Sequence, residues 1–157
     1  MQELRSIGLK EAEMICDACI NRAIETKDNK EVVGAGYPIA VCVIDRHGTI
    51  SCHKVMDGCF SLAARLSRTK AQSALELLRD TKVQREICQS RGINLMPYEF
   101  SSVEHTEIPG GCVIKTSDGK VVGAVGVSGR SPQGDEEIAK IGVKAFEDSE
   151  AYHVNIA

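Results

Sequence analysis

Lys70 lies in the run LAARLSRTKAQSALELLR, and its place on that helix sets the first chemical question. At 100° per residue the charged side carries Arg65, Arg68, Gln72, Glu76 and Arg79, opposite an apolar arc of Phe60, Leu62, Ala63, Leu66, Ala71, Ala74, Leu77 and Leu78. Lys70 falls inside the apolar arc, beside the small residues Ala63, Ser67 and Ala74. A buried ammonium without a partner is too costly to persist. One reading has the side chain snorkelling to water or pairing with Asp45, Asp57 or Asp135; the other has it facing a ligand. An apolar setting disfavours the charged form, which is how a lysine becomes a base near neutral pH. On the ligand-facing reading, the ammonium occupies a cavity between Met56–Gly58 and Val127–Gly129. Lys70→Met is then expected to preserve or raise stability while weakening an anionic ligand.

The second question comes from GAVGVSGRSPQGDEEIAKIG, residues 123–142. Its glycines are spaced G-x-x-G-x-x-G, which is neither the dinucleotide fingerprint nor the Walker loop. A strand over Val121–Ser128, a turn at Gly129 and Arg130, a cap at Ser131 and Pro132 at the first helical position account for the run structurally. Asp135, Glu136 and Glu137 suit the positive end of the helix that follows. The alternative is an anion-binding edge at Ser128 and Gly129, using free amides of the helix start.

The remaining candidates are histidines and thiols. His47, His53 and His153 read as solvated or packed side chains. His105 differs in standing in the polar run E-H-T-E just before Ile108–Gly111, and a neutral imidazole can ligate iron or move a proton. Cys16 and Cys19 form the one C-x-x-C pair, and both point to the core side of their helix. Seven cysteines, an odd number, with no second pair at zinc-ribbon spacing, predict reduced thiols and no metal site.

These residues need elements to hold them. The 3.6-residue period predicts a first helix from Gly8 to Ile24, with Ala12, Cys16, Cys19 and Ala23 inward. Tyr37–Asp45 and Thr49–Met56 predict a hairpin around Arg46–Gly48, with Cys42 opposite Cys52 if the loop holds three residues. A helix over Cys59–Arg79 follows, then a shorter one opened by a capping box at Thr81–Gln84. Residues 92–104 read as loop, Cys112–Thr116 and Val121–Ser128 as a second hairpin, and Pro132–Phe146 as the last helix, before a tail. Hairpins joined by short turns exclude a doubly wound parallel sheet. They predict one antiparallel sheet, with the first and last helices on one face and the central helices on the other.

The chain of 157 residues carries a net charge of −3 and only 4% aromatic residues. It is long enough to bury a core without metal or disulfide staples. It shows no basic stripe with interleaved aromatics, which argues against nucleic acid as a partner. Nor has it an apolar run near the roughly 20 residues that cross a bilayer, or an export signal at its start. The expectation is a cytoplasmic protein with no membrane partner.

Four runs, taken in order, carry a resemblance: AVCVIDRHGTISCHKVMDG, LAARLSRTKAQSA, IPGG and DGKVVGAVGVSGRSPQGDEEIAKIG. Together, over about residues 9–147, the chain resembles the GlcG/HbpS family, also called haem-degrading or PduO C-terminal-like. The resemblance implies a single domain over 1–157 with a profilin-like α/β (α+β) fold, a five-stranded antiparallel sheet with helices on both faces, and assembly into a homo-oligomer. Some members bind haem or handle iron; others accompany glycolate or propanediol metabolism. The family's motif positions fall on Asp45 and Gly48, on Met56, Asp57 and Gly58, on Lys70 and Ala71, and on Gly110 and Gly111. They continue through Gly123, Gly126, Ser128, Gly129 and Asp135. Val55 stands where the family often has arginine before M-D-G, and the first helix lacks the histidine that haem-binding relatives tend to offer. The implied function is binding of a haem-like tetrapyrrole or another anionic small molecule near Lys70, Ser128, Gly129 and the M-D-G turn, with His105 at the pocket edge. Two alternatives stand beside it: an enzyme using Lys70, Asp57 or Asp135 as acid or base on a hydroxy- or oxo-acid, and a scaffold without a site.

Overall fold

The computed structural model describes residues 4–28, 36–94 and 104–156, with side chains described as far as Ala151 in the last helix. The elements in chain order are α1 (Leu9–Glu25), β1 (Ala40–Asp45), β2 (Ile50–Val55), α2 (Ser61–Leu77), α3 (Thr81–Ser90), β3 (Gly111–Lys115), β4 (Val121–Ser128) and α4 (Pro132–Ile156). Part of the connection after Lys27 and most of the loop expected over residues 92–104 lie outside the described residues, as does the side chain of His153.

The two hairpins share one antiparallel sheet in the order β2-β1-β4-β3, as their short turns predict. Strand alternation splits the core into two layers. Val41, Val43, Cys112, Ile114, Val125 and Val127 pack with Ile15, Cys16, Cys19, Ile138 and Phe146 of α1 and α4. Cys42, Ile44, Val113 and Ala124 face Ala71 and Ala74 of α2.

The described residues hold four strands, where five were expected. In the segment before β3 the N–H groups of Thr106 and Gly110 go to side chains, while Gly110 O accepts from Val127 N–H at 2.9 Å. Thr106 N–H donates to Ser73 Oγ of α2 at 3.0 Å, and Gly110 N–H donates to Glu136 Oε2 of α4 at 3.1 Å.

Three local expectations are also corrected. Cys42 pairs with His53 and Cys52 with Val43, because the register shifts between Val43 and Ile44 and leaves Ser51 as the extra residue. The two thiols therefore face opposite sides of the sheet. Asp80, not Thr81, is the N-cap residue of α3. Thr81 Oγ1 instead accepts from Gly111 N–H at 3.0 Å, and Asp80 Oδ1 accepts from Val113 N–H at 2.9 Å, so both residues fasten α3 to β3. The last helix runs ten residues past Phe146, to Ile156. A Lys144–Asp148 pair one turn apart and a bidentate bond from Arg5 to Glu150 support its continuation.

Candidate functional site

The position of α2 is set by glycines beneath it. A Cβ at Gly126 would stand 1.9 Å from the Ser67 carbonyl oxygen, and one at Gly111 would stand 2.3 Å from that of Lys70. The helix backbone therefore rests almost directly on β3 and β4, and only small side chains fit between. Ala63, Ser67, Ala71, Ser73 and Ala74 are buried, whereas Phe60 is 68% and Leu62 57% exposed. Of the apolar arc expected from the helical wheel, Ala63, Ala71 and Ala74 face the sheet, while Phe60 and Leu62 at the helix start face outward.

Lys70 is the one long side chain in that contact face, 1% exposed and directed into the interior. Its Nζ donates to the Val127 carbonyl at 2.9 Å and to Asp135 Oδ2 at 2.9 Å. Asp135 is 3% exposed and accepts from Arg130 N–H on its other oxygen at 2.9 Å. Burial pushes the Lys70 ammonium below its ordinary range and the Asp135 carboxyl above its own, and each charge holds the other back. Of the readings left open, the structural ion pair with Asp135 is realised, and Lys70 is not among the residues lining the clefts at either end of α2.

The start of α4 is likewise satisfied from within. Ser131 Oγ accepts from Gly134 N–H at 3.0 Å, and Ser131 O accepts from Asp135 N–H at 2.8 Å. The protein's own carboxylate stands where an anion was considered, bound to Arg130 N–H.

A cleft of about 390 Å³ lies at the outer end of this arrangement. Phe60, Leu62, Ala63 and Leu66 of the α2 start form one wall, while Ser128, Gly129 and Arg130 form the other. Gly129 has φ +137°, and a Cβ there would stand 2.4 Å from the Pro38 carbonyl oxygen, so the turn presses against the strap leading into β1. Arg130 fixes the same corner. Its guanidinium donates to Tyr37 O at 3.1 Å, Thr26 Oγ1 at 2.6 Å and Ala23 O at 2.7 Å, tying the end of α1 to the strap. Sequence reasoning treated Arg130 only as a turn residue. Its lone positive charge between two uncharged flanks was the signal available.

The sequence candidates divide into three groups. Ser128 and Gly129 line the cleft. Met56 and Gly58 are close by through the strap, since Ile39 N–H donates to Met56 Sδ at 3.4 Å and a Cβ on Gly58 would lie 3.9 Å from Pro38. Asp57, between them, is exposed. Lys70, Gly110, Gly111 and Asp135 form a buried layer behind the cleft, where a Cβ on Gly110 would meet Lys70 Nζ at 3.0 Å. Asp45 is not part of the assembly. It pairs with Gly123, whereas Ala40 pairs with Ser128, so it sits at the far end of β1, about 17 Å away at strand rise. There Asp45 Oδ1 accepts from His47 N–H and Thr49 N–H and closes the hairpin turn. His105 is half-buried beside the Thr106 anchor and is not among the residues lining the cleft.

A second cleft, of about 350 Å³, lies at the opposite end of α2 between Arg46–Gly48 and Gln72–Leu78. It is lined by the hairpin turn with Gly48 but by no helix start and by none of Ser128, Gly129 and Arg130, so the cleft at the start of α2 is the better candidate. Among the described residues one set of side chains has metal-like spacing, Asp80, Cys112 and Glu136, with donor atoms within 4.8 Å of one another. Lys140 pairs with Asp80 and reaches within 3.9 Å of Glu136, so an ammonium already supplies positive charge there. Among the described residues no helix is long and apolar enough to cross a membrane.

Comparison with known proteins fits this architecture. An uncharacterised 15.0 kDa protein from the dhaT-dhaS intergenic region of Citrobacter freundii is 26% identical over 147 residues, covering 94% of this chain and 96% of that protein. The crystal structure of the Klebsiella pneumoniae protein ORFY, assigned to DUF336, superposes with a TM-score of 0.78 at 26% identity, covering 93% of this chain and 94% of that one. A PduOC–haem complex shares the fold with a TM-score of 0.74 at 23% identity, over 89% of this chain and 94% of that one. The family model described as haem degrading protein HbpS-like matches residues 7–144, and the chain therefore belongs to the HbpS-like family.

Proposed function

We propose that the chain is a single-domain binding module for a haem-like tetrapyrrole, held in the cleft between the start of α2 and the Ser128–Arg130 turn. The observation that carries this reading is an apolar wall of exposed Phe60 and Leu62 and half-buried Leu66 facing a cationic corner at Arg130. Large apolar side chains held open to water beside a fixed cation suit a flat, apolar, carboxylate-bearing ligand. Three guanidinium donations still leave Arg130 N–H groups for a carboxylate. The known haem complex of a protein with this fold supports the same ligand class.

The residues fit the ring and its acid groups better than they fit the iron. None of the residues lining the cleft is a histidine, and Met56 Sδ already accepts a backbone N–H. In this reading the porphyrin face and propionates carry the affinity. Lys70 and Asp135 act behind the cleft, holding α2, β4 and the start of α4 together. Their burial and mutual pairing disfavour the acid–base enzyme reading. The reading also includes a homo-oligomer, as the resemblance implied; a monomer by light scattering at micromolar concentration would remove that part alone.

The test is a haemin titration followed in the Soret region. The parent should show a saturable band shift, and Leu62→Asp, at an exposed position, should weaken it at least about tenfold with unchanged folding. Equal affinity of the two proteins would refute the site.

A further inference from the structure

Cys16 of α1 does not pair with Cys19, its C-x-x-C neighbour. Cys19 Sγ turns toward α4 and donates to Ile138 O at 3.4 Å. Cys16 Sγ points at β2 instead and donates to the Cys52 carbonyl oxygen at 3.7 Å, which sets the two thiols on neighbouring elements in the same layer of the core. Cys42, on the neighbouring strand, faces α2 on the other side of the sheet. The two thiols differ in access: Cys16 is fully buried and Cys52 is only half-buried, on the outermost strand of the sheet. Lys54, two residues along the same face of β2, pairs with Asp17 of α1 at 2.6 Å and places a positive charge near both thiols. A more accessible thiol next to a buried one, beside a cation, is the arrangement in which the first attacks a disulfide from solution and the second resolves the mixed disulfide.

We propose that Cys16 and Cys52 are a thiol pair that closes to an intramolecular disulfide by exchange with a small-molecule disulfide such as oxidised glutathione. In the first step the Cys52 thiolate attacks one glutathione sulfur. The glutathione S–S bond breaks, a Cys52–glutathione bond forms, and the first glutathione leaves as thiolate, taking up the proton that Cys52 gave to solvent. In the second step Cys16 sulfur attacks Cys52 Sγ. The mixed disulfide breaks, the Cys16–Cys52 bond forms, and the second glutathione leaves with the Cys16 proton. Two protein thiols are oxidised and one glutathione disulfide is reduced to two thiols. Burial pushes the Cys16 thiol far up, so the second step is the slower one and quickens as pH rises. The product staples α1 to the outermost strand β2.

The experiment treats the full chain with oxidised glutathione, quenches in acid, and alkylates the remaining thiols with N-ethylmaleimide in guanidinium before non-reducing peptide mapping. The expected result is a Cys16–Cys52 linked peptide, with both residues escaping alkylation together and both recovered after dithiothreitol. Cys16→Ala should stop the reaction at a stable Cys52–glutathione adduct, and Cys52→Ser, at the half-exposed site, should leave Cys16 fully alkylated. A Cys16–Cys19 link, or a stable glutathione adduct on Cys52 in the parent, would overturn the proposal. So would Cys16 that remains fully alkylated in the treated parent.

Discussion

Lys70 Nζ and Asp135 Oδ2 meet at 2.9 Å with almost no access to water, joining the middle of α2 to the first turn of α4 across the end of β4. Removing one member of such a pair leaves the other as a buried, uncompensated charge. Lys70→Met is therefore expected to destabilise the fold by about 3–5 kcal/mol, reversing the expectation from the sequence, where no partner was fixed. Urea unfolding of the two proteins measures the difference. Adding Asp135→Asn should recover a large part of the loss, because the stranded charge is then gone.

The same variant carries a pH signature. Burial raises the Asp135 carboxyl above its ordinary 3.8, so the folded state holds this proton more tightly than the unfolded chain does. Stability from a raised carboxyl is present at low pH and is lost as pH rises through the folded value. Without Lys70 to hold it down, that value rises further. The deficit of Lys70→Met against the parent should shrink between about pH 7 and about pH 5. A deficit that is constant or grows on acidification contradicts the pair's assigned role.

Gly126→Ala tests the packing that sets the site. The added methyl would fall 1.9 Å from a helix carbonyl, which cannot move aside as a flexible side chain can. We expect a loss of about 3 kcal/mol or more, at the upper end of overpacking costs, from thermal or urea unfolding. Gly119→Ala is the comparison, since a Cβ there meets nothing within 4 Å but has φ +83°, and it should cost only about 1–2 kcal/mol.

Much of this architecture was legible in the sequence, and the misses have physical causes. The turn residues and alternating runs located both hairpins, and the inward face of α1 followed from its period. The wheel of α2 placed Ala63, Lys70, Ala71 and Ala74 on the buried face but put Phe60, Leu62 and Leu78 with them, because hydrophobicity favours large side chains inside, whereas Gly111 and Gly126 leave room only for small ones. Lys70 was legible as exceptional, yet its partner lies 65 residues away, and nothing local selects Asp135 over Asp57 or Asp45. Asp45 was grouped with the site because it belongs to the same motif series. A strand has two ends, and pairing alone decides which one a residue occupies. Arg130 was passed over because its three acceptors are backbone and hydroxyl oxygens on α1 and the strap, which no spacing rule encodes.

Ligand chemistry separates ring and edge recognition from iron ligation. With no histidine lining the cleft, iron-free protoporphyrin should bind within about threefold of haemin by fluorescence quenching. Its dimethyl ester, which lacks the charges that Arg130 would meet, should bind at least about tenfold more weakly. Strong preference for the iron form would place a protein ligand on the metal and call for another site.

The most direct measurement is the location of bound haemin, read from paramagnetic broadening of amide signals in the labelled protein. The account predicts loss of intensity centred on Phe60, Leu62, Ala63, Leu66 and Ser128–Arg130, with the far end of α2 unchanged. Broadening centred on Arg46–Gly48 and Gln72–Leu78, the opposite cleft, would contradict it.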